Sequence, residues 1–380
     1  MLLLAAGHKR TGACPTFDRP VLQRDGYLLR IPLVGGALDP STAARIAEVA
    51  GTLGNGTIEL TNRGNLQIRG LAVGAADQAR EMLRSCGLGE RAAALVTISP
   101  FAGPAEHELR RQIVAELEHA LAAGRELSPK FVIHIDDHQG TTAARRAEAT
   151  LSLQGGSCRI RIAHLGEATI ALADAVRAAG ALADACRAVA DDARVADVID
   201  ERGLAWLHAV LPIDLSARLG PEGAPEAPPF GGPYVAASGQ EVFLAGARFG
   251  RIEAGVLARL ASLGLDLYVT PWRSIALGGS PPDLVGAELA DTLSVLGLIT
   301  DPHDPAAGIV SCIGAAGCWQ SEADTLVEAE RVVARRLATG LPGPGIVHVS
   351  GCDKRCATRG AVSVTLLGRP DGSGFDEVVS

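Results

Sequence analysis

The chain has 380 residues, 47% of them hydrophobic, with 45 glycines and a formal net charge of −8. That length accommodates two or three domains with ample core, and the acidic balance argues against a nucleic-acid partner, so an anionic ligand must meet a local basic patch. No apolar run reaches membrane-spanning length. Met1 to Ala6 is too short for a secretory leader, and its basic residues follow it. A cytoplasmic, reducing setting is therefore expected, where clustered cysteines serve metal or redox chemistry rather than disulfides.

Residues 1–20 read as a lead-in containing Arg10-Thr11-Gly12-Ala13-Cys14-Pro15. Tyr27 to Ile31 is predicted as a first strand. Asp39-Pro40 then signals a helix start, the carboxylate capping and proline opening the first turn. Ile46, Val49, Ala50 and Leu53 follow at i, i+3, i+4 and i+7, which buries one face. Thr57 to Thr61 and Leu66 to Arg69 alternate on either side of the turn Asn62-Arg63-Gly64-Asn65 and predict a hairpin. Ala79, Met82, Leu83 and Cys86 mark a second helix.

The same order recurs about two hundred residues later. A helix is predicted over 251–263, a strand over 265–270, a turn at Pro271-Trp272-Arg273, a return strand over 275–279 and a second helix over 284–296. Leu53-Gly54 matches Leu263-Gly264, Thr61 matches Thr270, Gly70 matches Gly279, and Gly87-Leu88 matches Gly297-Leu298. The correspondence continues from Val96–Gly103 into Val310–Gly317, so the chain reads as a duplication. Between the copies, helices are predicted over 106–123 and 168–190 and strands over 130–136 and 158–163, with 205–213 closing the unit. Residues 219–234 form a Pro/Gly linker. A helix over 322–337 and strands over 345–349 and 362–367 complete the chain. The boundaries that follow are 20–88, 92–218, 219–234, 235–298 and 305–380.

Chemistry concentrates in the last unit. Cys312 and Cys318 are separated by Ile-Gly-Ala-Ala-Gly, and Cys352 and Cys356 by Asp-Lys-Arg. Four thiolates are what a cubane [4Fe-4S] cluster requires, and a loop without bulky side chains lets backbone wrap closely around a large group. Structural zinc competes, although its paired ligands usually lie two to four residues apart, and four packed core cysteines are the plainest alternative. Cys14, Cys86, Cys158 and Cys186 are scattered, and free cysteine of that kind packs as a small hydrophobe.

The duplicated unit, the segment Thr61-Asn62-Arg63-Gly64-Asn65-Leu66-Gln67-Ile68-Arg69-Gly70 and the two cysteine pairs together resemble the sirohaem sulfite and nitrite reductase superfamily, over roughly residues 20–375. Within it, Arg10 to Pro15 and Thr270-Pro271-Trp272-Arg273 resemble the precorrin-3B synthase family. The resemblance implies an α+β fold: duplicated ferredoxin-like half-domains paired about a pseudo-twofold axis, plus two α/β domains of the nitrite/sulfite reductase type, the central one lacking cluster ligands. It also implies a monooxygenase-type oxidoreductase acting on precorrin-3A with O2 in cobalamin biosynthesis, with a [4Fe-4S] cluster on Cys312, Cys318, Cys352 and Cys356, a non-haem iron, and an electron donor such as NADH or ferredoxin. A sirohaem-dependent sulfite or nitrite reductase and a non-catalytic tetrapyrrole or iron–sulfur carrier are the alternatives.

A tetrapyrrole carries many carboxylates, which arginine meets with planar two-point contacts and lysine with a compact charge. The substrate-binding candidates are Arg63, Arg69, Lys130 and Arg273, each of which a surface or salt-bridged cation also explains, with Asn65 and Gln67 as neutral donors and turn stabilisation an equal reading of Asn65. Each desolvated charge-assisted contact is worth about 1.5–3 kcal/mol. For a non-haem iron, His134, Asp136, Asp137 and His138 form the suggestive local set, which a surface turn explains equally well, and His303 and His348 are weaker candidates. Two departures count against anion reduction: Val132 stands where the reductases carry a lysine or asparagine, and Thr97-Ile98-Ser99-Pro100 replaces their Asn-Arg-Asn type segment. One departure concerns the synthases: Arg355 takes the place of a glycine between the second pair of cysteines. The stretch 141–150 also lacks their aspartate-containing sequence.

Overall fold

The computed structural model describes residues 15–89, 95–99, 104–122, 124, 127–128, 131–136, 147–154, 157–163, 165–190, 193–216, 230–235, 241–278, 287–340, 345–357 and 362–379. Cys14, Lys130, Asp137, His138, most of the 219–234 linker and residues 141–146 lie outside them.

The first unit comprises β1 (Val21–Gln23), β2 (Gly26–Ile31), β3 (Ala37–Leu38), α1 (Pro40–Leu53), β4 (Thr57–Leu60), β5 (Leu66–Leu71) and α2 (Ala75–Arg84). The second comprises β6 (Leu95–Ile98), α3 (Pro104–Ala122), β7 (Val132–Asp136), β8 (Ala149–Gln154), β9 (Ser157–Ile162), β10 (Gly166–Ala171), α4 (Leu172–Val189), α5 (Val195–Arg202) and α6 (Leu204–Val210). The third repeats the first with β11 (Gly232–Val235), β12 (Glu241–Gly246), β13 (Arg251–Glu253), α7 (Ala254–Ser262), β14 (Asp266–Val269), β15 (Ser274–Gly278) and α8 (Ala287–Val295). The fourth holds β16 (Ile309–Ser311), α9 (Thr325–Thr339), β17 (Val347–Ser350), β18 (Val364–Gly368) and β19 (Phe375–Val379).

Helix α1 forms where the sequence places it. The Asp39 carboxylate accepts from the backbone N–H groups of Ser41 and Thr42 at 2.9 and 3.0 Å, which satisfies two of the donors left open at a helix start. These bonds outweigh partial burial and hold the Asp39 carboxyl below the usual carboxylate range. Ile46, Val49 and Ala50 are fully buried. Asp39→Ala is expected to lower the unfolding free energy by about 1 kcal/mol, measured by chemical denaturation.

The two copies are stitched together by exchanged strands. One sheet has the order β1-β2-β5-β4-β13, the other β11-β12-β15-β14-β3, so each is closed at one edge by a strand from the opposite copy. Ile252 pairs with Ile58 across one junction and Leu267 with Leu38 across the other. Helices α1 and α7 pack on each other, with Gly51 admitting Ala254 closely, and one hydrophobic core runs through both copies. This reciprocity is the pseudo-twofold relation expected of paired half-domains. The turns repeat bond for bond: Thr61 N donates to Asn65 O and Gly64 N to Thr61 O at 2.9 and 3.2 Å, as Thr270 N does to Ser274 O and Arg273 N to Thr270 O at 2.9 and 3.2 Å. Gly64 (φ 68°) and Arg273 (φ 61°) are therefore equivalent, and a left-handed conformation that glycine adopts freely is imposed on an arginine in the second copy.

The remaining sheets also correspond. In β10-β9-β8-β7-β6 the strands β6, β7 and β8 run parallel and β9 turns back, while in β16-β17-β18-β19 the strands β16, β17 and β18 run parallel and β19 turns back. Each has its own core, that of the second unit built on α3 and α4 and that of the fourth on α9. Cys158 and Cys186 are buried in the former, where burial pushes their thiols up to about 11 and about 12, as expected of packing cysteines. Cys86 is only half-buried.

Two predicted helices begin too early. Residues 251–253 form β13 and Gly166–Ala171 forms β10. Both short strands exist because a partner offers an open edge, β4 for the first and β9 for the second. Strand pairing of that kind overrides local helix preference.

Candidate functional site

Parallel pairing brings the two cysteine loops side by side. β16 and β17 are neighbours with Ser311 opposite Val349, and both loops leave from the same end of the sheet. Cys312 N donates to Val349 O at 3.2 Å, and Gly351 N donates to Cys312 Sγ at 3.2 Å, so the second loop already hydrogen-bonds a sulfur of the first. Cys318 Sγ accepts from Gln320 N at 3.4 Å. Burial raises the Cys318 and Cys352 thiols; backbone donors oppose this, and the neighbouring Cys312 thiol raises both further. Cys312, Cys318 and Cys352 are half-buried and Cys356 is exposed.

The glycines of the first loop make room for protein on the side away from the sulfurs. At Gly314 (φ 61°) an added Cβ would lie 2.5 Å from Thr325 Oγ1, and at Gly317 it would lie 2.7 Å from Arg69 Nη2. The loop is thus pressed onto the start of α9 and onto the first half-domain. Among the described residues, no three His, Cys, Asp or Glu side chains stand close enough to share one metal ion. The all-thiol donor set on two adjoining loops, Cys312 and Cys318 on one and Cys352 and Cys356 on the other, suits a [4Fe-4S] cluster by the chemistry of its donors.

Beneath this loop lies a buried ionic network. Glu59 on β4 accepts from Arg69 of β5 at 3.2 Å and from Arg251 of β13 at 3.1 Å. Burial pushes the Glu59 carboxyl up, but Arg69, Arg251 and Arg273 together hold it down at about 2. Arg69 also pairs with Asp25 at 2.8 Å and donates to Gly317 O at 3.0 Å. Arg251 and Arg273 both donate to Ser311 O, at 3.2 and 3.3 Å. Burial pushes the Arg273 guanidinium down to about 10, and the adjacent Arg251 adds to that while Glu59 opposes it. Among the described residues, Arg251 Nη1 and Arg273 Nε have no hydrogen-bond partner. Arg24 completes the brace, its backbone N–H donating to Gly317 O at 3.1 Å and its guanidinium to Ala315 O at 3.1 Å.

The predicted site residues divide accordingly. Arg69 and Arg273 are buried against the cysteine loop, with Arg69 committed to two carboxylates and a carbonyl. Asn65 is buried within its turn, where its Oδ1 accepts from Leu33 N at 2.9 Å. Gln67 is buried on β5 between Arg30 and Glu59 of the flanking strands. Arg63 is half-buried on the β4–β5 turn. His134 and Asp136 are both buried on β7; the imidazole Nδ1 meets Thr97 Oγ1 at 2.8 Å and its Nε2 lies 3.5 Å from Asp136. His303 is exposed. His348 is buried on β17, where burial, Arg273 and Arg355 push it down to about 4. Sequence reading passed over Glu59, Arg251, Asp25 and Arg24. Only Glu59 left a trace, as a lone charge in an otherwise apolar strand, Ile58-Glu59-Leu60.

Comparison with known proteins bears on the fold and on the family resemblance. Residues 21–86 match the nitrite/sulfite reductase ferredoxin-like half domain. A curated precorrin-3B synthase from Sinorhizobium sp is 28% identical over 384 residues, covering 96% of this chain and 82% of that protein. The solved structure of the Mycobacterium tuberculosis NirA protein superimposes with a TM-score of 0.74 at 19% identity, covering 92% of this chain and 73% of that one, which shows a shared fold. The chain therefore carries the nitrite/sulfite reductase ferredoxin-like half domain within a fold of that type, and over nearly its whole length its sequence resembles precorrin-3B synthase.

Proposed function

We propose that this chain is a precorrin-3B synthase, an oxidoreductase that uses O2 to hydroxylate precorrin-3A and close a lactone. The observation that carries this reading is the similarity to a protein of that name along 96% of the chain. Cys312, Cys318, Cys352 and Cys356 would hold a [4Fe-4S] cluster, which when bound supplies electrons one at a time. Arg63 and Lys130 are the proposed partners of the ring carboxylates, whose two-point geometry suits a guanidinium. Arg69 and Asn65 serve the same site indirectly, through the loop and the turn they brace.

The six-electron reductase reading is less well supported. Val132 is apolar, and the Thr97 hydroxyl is already engaged by His134, so neither offers a charge to a small oxyanion. Anaerobic purification followed by iron, sulfide and sirohaem analysis separates the readings. The expected result is iron and sulfide without a sirohaem spectrum, and a hydroxylated lactone by mass spectrometry when precorrin-3A, O2 and a reductant are supplied. Stoichiometric sirohaem with sulfite or nitrite turnover would establish the reductase instead, and cofactor without turnover of either substrate class would indicate a carrier.

A further inference from the structure

We infer that Glu59 is a positioning residue that holds Arg69, Arg251 and Arg273 as a buried cationic plate behind the Cys312–Cys318 loop, and that this plate sets how readily the group on the four cysteines accepts an electron. The inference rests on the reading that these cysteines hold a [4Fe-4S] cluster. Its structural basis is independent of the substrate. Arg251 and Arg273 meet the carbonyl of Ser311, the residue before Cys312, and Arg69 meets the carbonyl of Gly317, the residue before Cys318. The three guanidiniums come from β5, β13 and the β14–β15 turn, and the Glu59 carboxylate lies among them.

The charges do not cancel. Arg69, Arg251 and Arg273 face Glu59 and Asp25, which leaves one positive charge in excess where side chains are almost fully buried. Buried charge of this kind needs a counter-charge, and donors such as Arg251 Nη1 and Arg273 Nε, without a partner among the described residues, are costly to leave so. The cysteine sulfurs supply it when they bind as thiolates, since the loop these arginines meet is the one that carries them, at Ser311 O beside Cys312 and at Gly317 O beside Cys318. A cluster that takes one electron from a low-potential one-electron donor gains one negative charge, with no bond broken and no proton required. Fixed cations behind it favour that reduced form, and the Glu59 carboxylate opposes it while keeping the arginines aimed at the loop.

The test is an EPR-monitored redox titration of the iron- and sulfide-loaded protein with dithionite, on wild type, Glu59→Gln, Arg273→Gln and Arg273→Lys. The Glu59→Gln midpoint is expected to move positive and the Arg273→Gln midpoint negative, with Arg273→Lys near wild type because the charge is kept. A purely structural role would lower thermal stability in all variants without opposite shifts in potential. Shifts of the same sign, or none, overturn the inference. Joint loss of cluster and thermal stability in both glutamine variants and in Arg273→Lys overturns it too, since geometry rather than charge would then be what the loop needs. Wild-type protein that binds no iron or sulfide would instead defeat the cluster reading itself.

Discussion

Cys312→Ser is expected to yield a folded protein almost devoid of iron and sulfide. Even the outer partners of a metal ligand are commonly worth about 10–100-fold in affinity, so loss of a ligating sulfur should exceed about 100-fold in retained cluster. Cys312 is tied to its surroundings at two points: its thiol accepts from Gly351 N, and its carbonyl accepts from Thr325 Oγ1 at 2.6 Å. A serine of similar size preserves those backbone bonds, so the circular dichroism spectrum and melting transition should stay near those of the cluster-free wild type. Cys86→Ser is the matched control, since Cys86 is half-buried in the turn that follows α2 and should leave iron and sulfide content unchanged. Equal cluster content in Cys312→Ser and wild type would remove this cysteine from the site.

Arg69→Ala is expected to be the most destabilising single change in the half-domain pair, by about 3–5 kcal/mol, because it deprives two carboxylates in a buried network of a partner. Arg69 is 2% exposed, and its removal would also release Gly317 O from the brace. Arg45→Ala, which removes exposed contacts with Cys86 and Glu48, should leave the denaturation midpoint close to wild type. Urea denaturation of the two variants decides the matter, and similar midpoints would mean that the network contributes little. The same network predicts an acid limb. Glu59 is held at about 2 against an ordinary 4.5, so its contribution is complete above pH 4.5 and is lost as pH falls from 4.5 toward 2. That depression corresponds to about 3 kcal/mol. In Glu59→Gln the part of the acid limb due to this residue should vanish, read as a flatter stability profile below pH 4.5.

These effects arise at a place that local sequence reading reached only in part. Thr61 to Gly70 was legible as a hairpin because its turn chemistry and alternation are local. Arg69 within it was read as a cation for substrate, whereas its guanidinium is engaged by Asp25, Glu59 and Gly317 O. Nothing in the spacing of those residues announces this, since Arg69 and Gly317 are 248 residues apart. Arg251 was placed on a helix for a similar reason: three residues of strand have too little pattern of their own to compete with the helix that follows.

What the sequence determined by itself is whatever is set within a few residues. That includes the Asp39 cap and buried stripe of α1, the paired hairpins, the repeat of the first unit in the third, and four cysteines in two short loops. Tertiary structure alone decided which edges β3 and β13 close, and that both cysteine loops leave adjacent parallel strands. It also decided that Glu59 sits among three arginines behind the loop. The physical reason is that caps, turns and amphipathic faces are satisfied by near neighbours, whereas a buried charge or an open strand edge takes whichever distant partner the packed chain brings to it.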